Sequence, residues 1–138
     1  MEISIGWQGG LKFSGTSRFG QEISIDGAKK VGGNEDGYMP MELVLFALAG
    51  CTGIDVICIG QKMRQEVNKL KINIKAEQRD EHPRSFTKAH IEYIFTGKNL
   101  EPGKVEKMIS LSEERYCSVS ASMSGNVEIT HSYRIVEE

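Results

Sequence analysis

Pro40-Met-Glu-Leu-Val-Leu-Phe-Ala-Leu-Ala-Gly-Cys51-Thr-Gly-Ile-Asp-Val56 is the stretch whose reading decides the fold. Its proline suits the first turn of a helix, where the missing N–H is harmless. The apolar run continues to Ile59 and then turns polar through Gln61-Lys-Met-Arg-Gln65, predicting one helix from Pro40 to about Glu66. The apolar part, Leu43 to Ile59, is about 17 residues and is interrupted by Gly50, Thr52, Gly53 and Asp55. It is too short and too polar for a bilayer span and is expected as a buried core helix. Gly50 and Gly53 each cost about 1 kcal/mol against alanine in mid-helix. They therefore predict a close-packed partner helix, from this chain or from a second subunit.

Outward from that helix the pattern is mostly alternating. Residues 2–7, Leu11 to Ser14 and Gln21 to Asp26 read as a three-stranded antiparallel meander, with Gly9-Gly10 and Gly15-Thr-Ser-Arg-Phe-Gly20 as turns. Residues 27–39 form a loop. After the helix, residues 70–78 and 88–96 alternate as strands, the second carrying Ala89, Ile91, Tyr93 and Phe95 on one face. Pro102 opens a second helix, with Val105, Met108, Ile109 and Ser112 near helical spacing. Val127, Ile129, His131, Tyr133 and Ile135 alternate as a last strand. The order β-β-β-α-β-β-α-β predicts an α+β fold, with antiparallel sheets around two central helices.

The 138 residues are most simply a single domain, residues 1–138, long enough to bury roughly two-thirds of the unfolded surface. A net charge of −2 provides no basic field for nucleic acid or an anionic membrane, and neither partner is expected. The N-terminus reads as a strand and not as a secretion signal. Three cysteines without a Cys-x-x-Cys pair suggest neither a disulfide framework nor a zinc ribbon. A reducing, cytoplasmic setting is expected, in which a disulfide is transient and catalytic.

The thiols carry the chemistry. On an ideal 100° wheel Val44, Ala47, Asp55 and Cys58 all lie within about 40° of Cys51. Cys51 thus shares its stripe with a second thiol and one carboxylate. A buried free cysteine behaves as a small hydrophobe, and Cys58 is expected as core filler of that kind. Cys117, in Arg115-Tyr-Cys117-Ser-Val-Ser120, falls where one helix ends and another turn begins. At a helix N-terminus unpaired N–H groups and the dipole favour the thiolate. A metal site from Cys51, Cys58 and a histidine lacks the usual ligand spacing, so no metal and no cofactor are expected.

The Pro40–Val56 segment and Tyr116-Cys117-Ser-Val-Ser120 resemble the OsmC/Ohr family, the osmotically induced proteins and organic hydroperoxide resistance proteins, closest to its YhfA-like branch. The resemblance covers nearly the whole chain, because strand order, helix placement and both cysteine motifs agree. It implies an OsmC-like fold and an obligate, intertwined homodimer with active sites at the interface. It also implies thiol peroxidase chemistry. Cys51 would attack the peroxide and become a sulfenic acid, Cys117 would condense with it into a disulfide, and a dithiol or lipoyl-type reductant would reset the pair.

The family also places an arginine from the N-terminal meander at the thiolate, and Arg18 occupies the matching position. A guanidinium suits that role because it stays charged and donates in a fork. One departure concerns the acid that holds this arginine. The peroxidase branches carry a glutamate directly after the proline, where this chain has Met41, with Glu42 next. On the wheel Glu42 lies about 180° from Cys51 and Met41 about 80°. Glu42, one residue beyond that position, is the candidate acid, although a carboxylate there more simply favours a helix N-terminus. Asp55 on the Cys51 face would raise a thiol pKa unless paired, with Arg18 as one candidate partner. The alternative function is a non-catalytic dimer enclosing an apolar ligand pocket.

Overall fold

The computed structural model describes all 138 residues, which divide into two compact units, residues 1–46 and 47–138. In the first unit, β1 (Ile5–Trp7), β2 (Phe13–Thr16) and β3 (Glu22–Ile25) form the expected antiparallel meander. The β2–β3 turn holds Gly20 at φ +92°, a left-handed conformation that side chains resist. The following loop contains one 3-10 turn, Lys29–Val31, and folds around Asp26. That carboxylate accepts hydrogen bonds from the backbone N–H groups of Gly27, Asn34 and Asp36 at 2.7, 3.1 and 3.1 Å. Gly33 passes so close to Gly27 that a Cβ there would lie 2.0 Å from the Gly27 carbonyl oxygen.

Helix α1 (Pro40–Lys62) begins in the first unit and continues into the second, ending four residues before the expected boundary. The second unit adds β4 (Val67–Gln78), β5 (Phe86–Gly97), α2 (Pro102–Leu111), α3 (Ser118–Met123) and β6 (Glu128–Glu137). Its sheet has the order β4-β5-β6. The β4–β5 pairing is antiparallel, whereas β6 runs parallel to β5, with Ile91 opposite both Ile74 and His131. This corrects the expectation of wholly antiparallel sheets. A parallel pair needs a long crossover, and α2 and α3 supply it. The predicted faces of β5 and α2 are as read: Ala89, Ile91, Tyr93 and Phe95 are buried, together with Val105, Met108, Ile109 and Ser112.

Two expectations for α1 are overturned. The helix is not a buried core helix in this chain: its buried residues are the single i, i+4 row Leu48, Thr52, Val56 and Gly60. Burying a leucine or valine side chain there contributes about 1.5–3 kcal/mol each. Gly60 lets Met108 approach, since a Cβ at that position would lie 2.8 Å from its terminal methyl, and Gly53 similarly meets Ile72 at 3.1 Å. Gly50 has open space around it. Cys58, expected as core filler, is exposed. The cause is a helix apolar almost all round, so that its hydrophobic pattern does not single out the face turned to the core.

Candidate functional site: two thiols and a carboxylate

One helical turn and one helix junction build the site within residues 47–138. Cys51 and Asp55 are neighbours at i and i+4 on α1, while Cys117 follows an irregular π turn, Ser112–Tyr116, that ends the α2 segment. The two sulfurs and a carboxylate oxygen of Asp55 all lie within 4.8 Å of one another. Both thiols are free; Cys51 is partly accessible and Cys117 is buried. Cys117 is itself the N-cap of α3, its sulfur accepting the Ser120 N–H at 3.4 Å. The thiolate-favouring helix end is therefore present, yet the Cys117 thiol is pushed up from the ordinary cysteine value. Burial is the main cause; the Ser120 N–H opposes it and the adjacent Cys51 sulfur adds to it.

Beneath the sulfurs runs a chain of buried hydroxyls. Tyr93 Oη lies 2.7 Å from Thr52 Oγ1, which lies 2.9 Å from Ser112 Oγ, and Ser112 donates to Asp55 Oδ2 at 3.0 Å. Tyr93 and Ser112 are 0% exposed and Thr52 1%, so each hydroxyl depends on the others for its hydrogen bonds. Burial raises the Tyr93 phenol far above its ordinary value, and it stays protonated. Sequence reading missed this chain, although Ser112 and Thr52 were visible as polar residues at apolar spacing. Next to it His131 bridges two acids, Nδ1 to Glu113 at 3.0 Å and Nε2 to Glu106 at 3.0 Å. Burial raises Glu113 despite the histidine, and its Oε1 is buried without a partner.

The remaining predicted residues lie in the first unit. Arg18 is exposed in the β2–β3 turn, its guanidinium 5.0 Å from the Phe19 ring centroid, and Glu42 is exposed in the first turn of α1. Neither is in an ion pair. The partner of Asp55 within residues 47–138 is Ser112. Cys51, Asp55 and Cys117 are close enough to share a cation; Cys58 and the histidines are not part of that group. One face of the meander, with Ile3, Ile5, Ile23 and Ile25, and Phe46 of α1 line an apolar groove of about 780 Å³.

The family model for OsmC-like protein matches residues 32–132, which carry both cysteine motifs. The chain belongs to the OsmC-like protein family. It is 40% identical over 136 residues to Protein YhfA of Escherichia coli (strain K12), covering 99% of this chain and 98% of that one. A hypothetical protein from Aquifex aeolicus VF5 superposes with a TM-score of 0.88 at 31% identity, over 99% of this chain and 96% of the other. The same fold recurs at 16% identity and a TM-score of 0.72 in an organic hydroperoxide resistance protein OsmC from Legionella pneumophila, with 96% of each chain covered.

Proposed function

We propose that this protein is a homodimeric thiol peroxidase that reduces organic hydroperoxides. The observation that carries the reading is the pair of free sulfurs, one partly accessible and one buried, within 4.8 Å. The accessible Cys51 attacks the O–O bond as thiolate, alcohol leaves, and Cys51 becomes a sulfenic acid. Cys117 condenses with it, forming the disulfide and releasing water. A small dithiol of the lipoyl type then returns both thiols. Arg18 stabilises the Cys51 thiolate and orients the peroxide, with Glu42 as the acid that fixes the guanidinium. The organic hydroperoxide resistance protein of the same fold supports the choice of substrate class.

The dimer is proposed on the apolar surface. Ile3, Phe19 and Ile54 are 79, 76 and 68% exposed, and Gly50 faces open space. Large apolar side chains left exposed in both units are the kind of surface a partner subunit covers. The groove of about 780 Å³ gives weight to a second reading, a ligand-binding dimer without turnover.

One experiment separates the two. Reduced protein receives one equivalent of cumene hydroperoxide, and its cysteines are mapped by mass spectrometry. A Cys51–Cys117 disulfide formed within seconds, reversed by dihydrolipoamide and abolished by Cys51→Ser, is the expected result. Three intact thiols after minutes would overturn the peroxidase and turn attention to the groove.

A further inference from the structure

The buried hydroxyl chain has one direction. Ser112 spends its single hydroxyl proton on Asp55 Oδ2, to which it donates at 3.0 Å. Ser112 Oγ must then accept from Thr52, and Thr52 from Tyr93. Three O–H groups from β5, α1 and the end of the α2 segment thus run in series to one carboxylate, which Ser112 alone contacts. Packing does not call for them, because valine, alanine and phenylalanine would fill the same volumes without polar atoms. What they accomplish is to fix a carboxylate beside two sulfurs, an arrangement that plain thiol packing would avoid. Cys117 is a buried neutral thiol, and a thiol attacks sulfur well only as its proton leaves.

We propose that Asp55 is the proton carrier of the resolving step, taking the Cys117 thiol proton and delivering it to the group that leaves Cys51. In that step the Cys117 sulfur bonds to the Cys51 sulfur, and the bond from Cys51 to its leaving group breaks with its electron pair. The proton passes from Cys117 to Asp55 to the leaving group. After a hydroperoxide the leaving group is hydroxide, released as water; after a mixed disulfide it is a thiolate, released as thiol. Cys117 is oxidised to the disulfide level in both cases; the electrons reduce Cys51 from the sulfenic level after a hydroperoxide and the departing sulfur to a thiol after a mixed disulfide, so no further oxidant is required. Ser112, Thr52 and Tyr93 are positioning residues. The inference rests on the dithiol pairing above but not on peroxide as substrate.

The test uses the full-length protein in a Cys58→Ser background, which removes the exposed thiol. Methyl methanethiosulfonate converts Cys51 to its methylthio disulfide, and closure to Cys51–Cys117 is followed by acid quench and mass spectrometry. Closure is expected to slow by at least about tenfold in Asp55→Asn, within the usual range for general acid–base groups, and to recover largely in Asp55→Glu. A purely structural aspartate would not be rescued by glutamate, whose longer side chain fits the site less well. Closure of Asp55→Asn within twofold of the parent overturns the proposal, as does a parent that never closes. The same proteins are then loaded with cumene hydroperoxide. An Asp55-dependent closure in the methylthio arm, with neither sulfenic acid nor disulfide formed by peroxide, supports Asp55 as carrier and removes the peroxidase reading instead.

Discussion

Thr52 and Cys58 lie six residues apart on one helix and have opposite consequences. Thr52 is the middle of the hydroxyl chain, so Thr52→Val leaves Tyr93 and Ser112 with unmet hydrogen bonds in the core. A loss of about 1–3 kcal/mol is expected in urea unfolding, because a buried unsatisfied group bears its full desolvation cost. Cys58→Ser removes no buried hydrogen bond within the chain and should cost less than Thr52→Val in the same unfolding series at equal protein concentration. Cys117 makes a prediction of another kind. Burial outweighs the helix end, so peptide-resolved alkylation of reduced Cys117 should reach half its limiting rate above the ordinary thiol value of about 8.5. A midpoint below that value would mean that the α3 N-terminus dominates.

At the scale of elements, the loop after β3 depends on Asp26. Burial pushes this carboxyl up, but the N–H groups of Asp36, Gly27 and Asn34 outweigh it, and the folded-state value is lowered. A lowered folded value means that its stabilisation is present above the unfolded carboxyl value of about 3.9 and disappears as pH falls through the folded one. The fluorescence of Trp7, the single tryptophan, should therefore report loosening of residues 1–46 below about pH 4. Asp26→Asn should lower the thermal midpoint at pH 7 and flatten that acid limb; an unchanged limb would assign the acid sensitivity to other groups. Helix α1 shows the opposite dependence on context. Gly60 of its buried row admits the Met108 methyl and Gly53, outside that row, meets Ile72, so Gly60→Leu should be poorly tolerated while Gly50→Ala is accommodated within this chain.

For the whole molecule the exposed side of α1 is the decisive surface. Val44, Phe46, Ile54 and Cys58 stay uncovered on a helix that, contrary to the expectation from its sequence, is long and apolar enough by composition to cross a membrane, with 22% of its apolar 18-residue stretch buried. In the proposed dimer the partner covers this side. Light scattering should then give twice the 15.3 kDa chain mass, and Ile54→Asp should shift the protein to monomer and lower peroxide turnover with it. A monomeric wild type would refute the dimer. Gly50 sharpens the test, since Gly50→Leu fits the open surface of one chain but collides with a helix packed against it.

Period-two alternation identified β4, β5 and β6, because strands with one buried face must alternate. Pro40 and Pro102 marked both long helices for the equally local reason that proline fits a first turn. The two cysteine motifs, read together, gave the family to which the chain belongs. Local rules could not choose the side of α1 that turns inward, since apolar residues surround that helix, and Cys58 was therefore misassigned. Nor could they give the parallel pairing of β6, which follows from where α2 and α3 return the chain. Above all, Tyr93, Thr52, Ser112 and Asp55 come from three separate segments. Only packing brings their oxygens within 3.0 Å of one another in sequence and sets them beneath Cys51 and Cys117.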